Sequence, residues 1–168
     1  LLGPPGTGKT HLLCGLLQHF TLVRGLPCRY VDFFHLTERI RATFDTRGGE
    51  TEEDIIGPLV DVPVLAIDEL GKGRGTHWEL SIVDQLISRR YNAGRVVLAA
   101  TNYHLEAQII AASRVSEDHR PPTSKDLRKG PDRSAIAMLD ETLEERIGER
   151  IVSRLYETCK IHGIQSTD

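Results

Sequence analysis

The first residues of the chain carry a glycine-rich pattern of the kind that holds phosphate groups. Residues 3–10 have the sequence GPPGTGKT and satisfy the spacing G-x-x-x-x-G-K-[ST]. Glycines allow backbone N–H groups to point inward around a phosphate, because no Cβ atom stands in the way. Lys9 then reaches the β- and γ-phosphates, and the hydroxyl of Thr10 is a ligand for Mg²⁺. We therefore predict a site for ATP and Mg²⁺ that is contacted by Gly3, Pro4, Pro5, Gly6, Thr7, Gly8, Lys9, Thr10 and His11.

Two adjacent carboxylates follow a short apolar run farther along the chain. Residues 64–67 (VLAI) are typical of a strand buried on both faces, and Asp68 and Glu69 come directly after them. Asp68 can hold Mg²⁺ through water, and Glu69 is placed to polarise the water that attacks the γ-phosphate. A nucleotide kinase transfers the phosphate to a bound acceptor and does not need this glutamate, so its presence favours hydrolysis. The alternative is an acidic strand end without a role.

Asn102 supplies an amide at the end of another apolar run. Residues 95–101 (RVVLAAT) predict a further buried strand, and Asn102 follows it directly. Neighbouring parallel strands end on the same side of a sheet, so we predict that Asn102 holds the attacking water together with Glu69. The alternative is an asparagine that only ends a strand.

A parallel sheet would bring these residues together, and the chain alternates strand and helix patterns as such a sheet requires. We predict one α/β domain over residues 1–168, with helices on both faces of the sheet. Leu1 and Leu2 are interpreted as the end of a strand whose earlier residues are absent, so we expect a fragment of a longer protein. The predicted helices cover residues 12–23, 37–44, 51–59, 76–91 and 142–159, and the predicted strands cover residues 28–34, 64–67, 95–101 and 161–165.

Residues 113–133 differ in character from the rest of the chain. They contain six basic and four acidic residues, together with prolines and a glycine. This composition predicts a basic loop or an insertion. An excess of two positive charges without any aromatic residue is a weak signature of nucleic-acid binding, so a solvated linker is favoured.

Composition and charge narrow the class of protein. The 168 residues include 21 Lys and Arg against 24 Asp and Glu, and the net charge of −3 provides no overall attraction to nucleic acid. No run approaches the roughly 18 apolar residues of a membrane span, and no basic leader begins the chain. Three widely spaced cysteines, Cys14, Cys28 and Cys159, are typical of thiols in a reducing cytosol. We expect a cytoplasmic protein without membrane contact, and no metal site besides that for Mg²⁺.

Four segments together resemble the AAA+ ATPases and, more narrowly, the DnaC/IstB group of helicase loaders and transposition helpers. The first and third of these segments are common to many nucleotide-dependent machines. Residues 71–92 and 145–156 make the resemblance specific to the loaders. The four segments are GPPGTGKTHL (3–12), VDFFHLTERIRATFD (31–45), VLAIDELGKGRGTHWELSIVDQLISRRYNAGRVVLAATNY (64–103) and LEERIGERIVSRLYETC (143–159).

The resemblance implies a three-layer sandwich with a parallel sheet of strand order 5-1-4-3-2, the first strand being truncated. It also implies that ATP lies at a boundary between subunits, which associate into an open ring or spiral when ATP is bound. An arginine finger on the helix before the last strand then completes the site of a neighbour. Arg154 is favoured for this role and Arg150 is the second candidate. The alternative is that these arginines lie on a solvated surface and pair with Glu145 and Glu149.

The same resemblance implies a helicase loader, which we expect to hydrolyse ATP to remodel a complex of a replicative helicase with DNA during replication. A transposition helper, whose partner is a transposase, shares the whole core, and the sequence does not separate the two. A third alternative is a DNA-binding switch that binds ATP without hydrolysing it. Lys72 and Arg74 are candidates for contact with the phosphates of single-stranded DNA, with a solvated turn as the alternative. The helicase-binding segment and the second sensor arginine of the group are expected outside residues 1–168.

Overall fold

A computed structural model of the chain describes residues 1–45, 49–105 and 141–164. The predicted insertion at residues 113–133 lies outside these ranges. None of the helices within them is both long enough and apolar enough to cross a membrane. In chain order the elements are α1 (Lys9–Arg24), β1 (Cys28–Asp32), α2 (Phe33–Ala42), a 3₁₀ turn (Thr43–Asp45), α3 (Glu52–Asp61), β2 (Val64–Asp68), α4 (His77–Asn92), β3 (Val96–Ala99), α5 (Leu143–Ile147) and α6 (Glu149–Thr158).

The three named strands of the described residues form one parallel sheet in the order β1-β2-β3. Asp32 at the end of β1 lies opposite Asp68 at the end of β2, and Ile67 lies opposite Ala99 in β3. The strands therefore end at one edge of the sheet, as the prediction of a parallel α/β domain requires. This edge carries the predicted carboxylates.

Leu2 extends the pairing beyond β3 as an isolated bridge. It pairs in parallel with Thr101 on one side and with Gly163 on the other. The backbone N–H of Leu2 donates to the carbonyl of His162 at 2.9 Å, and the N–H of Ile164 donates to the carbonyl of Leu2 at 2.7 Å. These contacts fall within the predicted first and last strands, but the described sheet has three strands. The five-stranded order 5-1-4-3-2 stays a prediction.

The core lies on both faces of β2, whose five residues are all buried. Leu65 and Ile67 belong to the large apolar cluster that the sheet forms with α2 to α6. Ala66 faces the other way and packs with Leu13 of α1 and with Ala100. The helices therefore cover both faces of the sheet, and among the described helices α1 packs on the face that carries Ala66.

The second predicted strand is shorter than expected. It was predicted over residues 28–34, with a helix from residue 37, but β1 ends at Asp32 and α2 begins at Phe33. The carboxylate of Asp32 accepts a hydrogen bond from the backbone N–H of His35 at 3.0 Å. This N-cap satisfies a donor that the first turn of a helix leaves free, so the helix starts at once.

The helix predicted over residues 142–159 is two helices. Gly148 has φ 88° and ψ 145°, which interrupts the helix between α5 and α6. A residue with a side chain rarely adopts a positive φ, and the glycine makes this break sterically easy. The predicted helix signals on either side of the break were correct.

The strand predicted over residues 95–101 is present as β3 but is not fully buried. Val96 is 47% exposed and the other three residues are partly buried. Leu1 and Leu2 contact β3 near Ala99 and Thr101, and within the part of the chain that the structure describes no strand pairs with the amino end of β3 on that side. An apolar cavity of about 310 Å³ lies beside Val97 and Leu98.

Arg90 of α4 is fully buried and joins three elements. Its guanidinium donates to the carbonyls of Val60 at 3.1 Å and Val62 at 2.9 Å, and also to those of Leu59, Pro63 and Val96. Burial lowers the pKa of Arg90 to about 10. The carbonyls belong to the end of α3 and to the entries of β2 and β3, so one side chain satisfies acceptors that the last turn of a helix leaves free.

Candidate nucleotide-binding site

The glycine-rich loop connects Leu2 to α1 through backbone conformations that glycine favours. Gly6 and Gly8 both have φ 83°, and Gly8 is the N-cap of α1. Gly3 is required for a different reason, because a Cβ atom there would lie 2.3 Å from the carbonyl oxygen of Ile164. The loop therefore combines glycines in left-handed backbone conformations with close packing of Gly3 against the segment that contains Ile164. It ends at the positive end of a 16-residue helix, which is favourable for binding an anion.

Lys9 is buried within this loop. Its amine donates to the carbonyls of Gly3 and Pro4, both at 2.7 Å, and lies 3.4 Å from Oγ1 of Thr7. Burial lowers the pKa of Lys9, while Glu69 and Asp68 act in the opposite direction. The amine is thus held inside the loop, close to two carboxylates. Of the other predicted nucleotide contacts, Pro4, Pro5 and His11 are exposed.

The two predicted Mg²⁺ ligands are in direct contact. The hydroxyl of Thr10 donates to Oδ2 of Asp68 at 2.5 Å, although the residues are 58 positions apart. The other carboxylate oxygen, Oδ1, accepts a hydrogen bond from the backbone N–H of Glu69 at 2.9 Å. A hydroxyl and a carboxylate are oxygen donors of the kind that Mg²⁺ prefers, and a site with few protein ligands suits an ion that keeps several waters. The donor set fits Mg²⁺.

Glu69 and Asn102 also meet at this edge of the sheet. Nδ2 of Asn102 lies 3.5 Å from Oε2 of Glu69, and Nζ of Lys72 lies 3.1 Å from the same oxygen. Glu69 is about a quarter exposed and has φ 54°, an unusual value for a residue other than glycine. These residues and Pro5 line a cleft of about 250 Å³. The loop, the glutamate and the asparagine therefore surround one space.

Two residues that the sequence analysis missed hold the segment after Glu69. Arg146 of α5 donates to the carbonyl of Gly71 at 3.1 Å and to that of Gly73, and its guanidinium lies over the ring of Tyr103. The buried carboxylate of Glu79 accepts from the backbone N–H groups of Arg74 and Thr76. The T-x-x-E spacing of Thr76 and Glu79 is a helix-capping signal and identifies Glu79. No local pattern identifies Arg146.

Tyr30 is a further residue at the site that was not predicted. Its hydroxyl donates to Oδ2 of Asp68 at 2.9 Å. Burial and this hydrogen bond raise the pKa of Tyr30 well above its usual value. Tyr30 is recognisable only from the register of β1 against β2, which the sequence does not specify.

The two candidate arginine fingers pack on α4 of their own chain. Nη1 of Arg154 lies 3.0 Å from Oδ1 of Asp84, and its guanidinium also contacts Ser88 and lies over the ring of Tyr91. Arg150 lies 3.8 Å from Oδ2 of the same aspartate. The side chain of Arg150 is 71% exposed and that of Arg154 is 19% exposed. Within the described ranges, both arginines therefore share one carboxylate.

The pairing that the alternative interpretation named for these arginines is absent from the described contacts. The carboxylate of Glu145 instead caps α5, where it accepts from the backbone N–H of Thr142 at 2.7 Å. Glu149 begins α6. The structure brings Lys9, Thr10, Asp68, Glu69 and Asn102 together at one edge of the sheet, while the contacts of Arg150 and Arg154 lie on α4.

Comparison with known sequences finds one matching family model and several similar proteins. A family model described as IstB-like ATP binding protein matches residues 1–108, more than half of the chain. The replicative helicase loader DnaC of Escherichia coli strain K12 is 31% identical over 104 residues, which cover 62% of this chain and 42% of that protein. DnaC of Buchnera aphidicola subsp. Baizongia pistaciae is 32% identical over 93 residues, which cover 55% of this chain and 37% of that protein. The chain thus spans about two fifths of the length of these relatives.

Comparison with solved structures agrees. A crystal structure of the DnaC helicase loader is 26% identical, with a TM-score of 0.69 over 98% of this chain and 76% of that one. A replication initiator DnaA, bound to AMPPCP and single-stranded DNA, matches with a TM-score of 0.64 over 99% of this chain and 40% of that one. At 16% identity, the second match shows the fold alone. From its phosphate loop, its parallel sheet and these matches, we conclude that the chain belongs to the IstB-like ATP binding protein family, within the DnaC/IstB group of AAA+ proteins.

Proposed function

We propose that this chain is the ATPase core of a helicase loader, which binds ATP with Mg²⁺ and hydrolyses it to ADP and phosphate. The observation that carries the proposal is the contact network of Asp68. It joins Thr10 of the phosphate loop to Glu69, which lies beside Asn102. The candidate phosphate grip, metal-binding carboxylate and hydrolytic carboxylate are therefore linked by hydrogen bonds at one edge of the sheet.

The roles of the side chains follow from this arrangement. The amine of Lys9 exchanges its carbonyl partners for the β- and γ-phosphates, and the loop N–H groups hold the same charge. Thr10 and Asp68 would hold Mg²⁺, which supplies neutralisation of the phosphate oxygens. Asn102 orients a water molecule, and Glu69 accepts its proton as the water oxygen attacks the γ-phosphorus. The bond from the γ-phosphorus to the bridging oxygen breaks, and ADP is the leaving group.

We infer that the chain forms one AAA+ core over residues 1–168, with five strands in the order 5-1-4-3-2. Support comes from the bridges of Leu2 to Thr101 and Gly163, which are the neighbours that this order requires.

The proposed partner is a replicative helicase, because the curated relatives above are DnaC loaders. A transposase is the second candidate partner, since the matching family model is described as IstB-like. We further propose self-association with ATP bound, contact with single-stranded DNA through Lys72 and Arg74, and action in the cytoplasm. Co-purification of the full-length protein with a helicase or with a transposase separates the two partners. ATP-dependent DNA binding without turnover would instead indicate a non-hydrolysing switch.

The phosphate grip is tested by Lys9→Ala. We expect loss of binding of a fluorescent ATP analogue and loss of ATP turnover, because the phosphates lose their main counter-charge. Lys160→Ala is the matched control, since this substitution removes the same charge from an exposed residue near the end of α6. Normal affinity of the Lys9→Ala variant for the analogue would overturn the assignment of this loop.

A further inference from the structure

We propose that Tyr30 is a positioning residue for the divalent cation that accompanies the nucleotide. Its hydroxyl fixes the carboxylate of Asp68 in the orientation that cation binding requires. The proposal rests on the proposed function, since it concerns the cation of that same site.

The sheet register brings Tyr30 to this place. Tyr30 of β1 lies opposite Ala66 of β2, and paired residues project from the same face of a sheet. Ala66 and Asp68 are two positions apart in β2, so they also share this face. Ala66 has a small side chain, which leaves room for the tyrosine ring to extend along the strand toward Asp68. The result is the 2.9 Å hydrogen bond from the hydroxyl to Oδ2 of Asp68.

The two carboxylate oxygens of Asp68 accept hydrogen bonds from different groups. Oδ1 is held by the backbone of its neighbour Glu69, whereas Oδ2 accepts from the hydroxyls of both Thr10 and Tyr30. When Thr10 acts as a cation ligand, its oxygen lone pair faces the cation. The O–H of Thr10 can still donate to Oδ2, so Tyr30 is a second side-chain donor to this oxygen among the described residues. Tyr30 approaches from β1, a different element from the phosphate loop.

The tyrosine is suited to act as a donor, because its hydroxyl lies 2.9 Å from Oδ2 of Asp68. The ring is anchored in a strand, and this restricts the hydroxyl more than a flexible side chain would. A phenylalanine at this position retains the ring and removes only the donor.

The test measures the Mg²⁺ dependence of nucleotide binding rather than turnover. A fluorescent, non-hydrolysable ATP analogue is titrated into the full chain over a series of Mg²⁺ concentrations, and also in EDTA. For Tyr30→Phe we expect the Mg²⁺ concentration at half-saturation to rise about tenfold, the size of effect expected when one hydrogen bond to a charged group is lost. Binding in EDTA is expected to match wild type, because Lys9 and the loop are unchanged.

Two further variants make the test specific. Tyr91→Phe is the matched control, since its hydroxyl also contacts a carboxylate, that of Glu157 at 2.6 Å, but outside the cleft. It should leave the Mg²⁺ dependence unchanged. In an Asp68→Asn background, Tyr30→Phe should have little further effect, because the two residues act as a unit.

An unchanged or lower Mg²⁺ requirement in Tyr30→Phe would overturn the proposal. So would an equal loss of binding with and without Mg²⁺, which would indicate that Tyr30 only supports the fold. Failure of the wild-type chain to bind the analogue at all is a different result, since it would reject the proposed function itself.

Discussion

At the scale of single residues, Glu69 combines strained backbone with two polar contacts. Its φ of 54° is unusual for a residue with a side chain, and such values are found where surrounding structure holds a functional group in place. Lys72 and Asn102 both contact its Oε2 atom. A glutamate that only ended a strand would not need this conformation. The strain is therefore consistent with a positioned base.

Glu69→Gln tests this base. The substitution keeps the size of the side chain and removes its ability to accept a proton. We expect ATP binding to be retained while turnover falls by about 10²-fold or more, the contribution typical of a positioned base. Binding and steady-state hydrolysis are measured on the same preparations. Glu53→Gln is the control, because that exposed carboxylate pairs with Arg89 on the surface.

Turnover near the wild-type rate in Glu69→Gln, with binding intact, would show that another group activates the water. Loss of binding together with turnover would point instead to a role of the carboxylate in retaining the nucleotide.

At the scale of elements, Arg90 anchors the helix layer to the sheet that carries the site. It lies on α4 and donates to carbonyls at the end of α3 and at the entry of β2. Within the described hydrogen bonds and ion pairs, its partners are carbonyl oxygens and no carboxylate. Five carbonyl partners replace the water that the buried cation has lost. β2 ends at Asp68, so this anchor supports the position of the proposed metal-binding carboxylate from the opposite end of the strand.

Arg90→Met should lower the free energy of unfolding by about 3 kcal/mol, because several buried carbonyls lose their donor at once. Chemical denaturation followed by circular dichroism measures the change. Arg89→Met is the matched control on the adjacent position. Arg89 is exposed and pairs with Glu53, and such surface pairs contribute about 0–1 kcal/mol. Equal effects of the two substitutions would contradict the role assigned to Arg90.

At the scale of the whole molecule, the proposed arginine finger would complete the site of a neighbouring subunit. The contacts of Arg154 and Arg150 lie on α4, where both approach Asp84. An arginine finger must reach the phosphates of a neighbouring subunit. We infer that Asp84 orients the candidate finger arginine in the isolated chain. In an assembly, the phosphates bound by the neighbouring subunit would compete with Asp84 for this arginine.

Mixing variants tests a finger supplied by the neighbour. Arg154→Ala subunits retain an intact phosphate loop, and Lys9→Ala subunits retain an intact finger. A finger in trans contributes about 10³–10⁵ in rate, so each variant alone should be inactive under assembling conditions. The mixture should recover part of the ATP turnover at hybrid interfaces.

Normal turnover of Arg154→Ala alone would exclude Arg154 as the finger. The same mixing experiment with Arg150→Ala then tests the second candidate. A mixture that stays inactive while both variants assemble would contradict a shared site.

The amino-acid sequence by itself determined the parallel α/β class, and it predicted the phosphate loop, the two carboxylates at the end of β2, and Asn102. Each of these rests on a local pattern, such as a spacing, an apolar run or a strand end, that neighbouring residues specify together. The same local reasoning placed the end of β1 wrongly and missed the break between α5 and α6. The side chain of Asp32 and the backbone of Gly148 were decisive there.

Only the tertiary structure decided which distant side chains support the site. Tyr30 reaches Asp68 through the register of β1 on β2, and Arg146 reaches Gly71 across 75 positions of the chain. Arg90 similarly meets carbonyls about 30 positions away. Such contacts depend on how elements pack, and packing is set by the shape of the whole core. A local pattern indicates which chemistry a side chain can perform, whereas the fold determines which residues that side chain contacts.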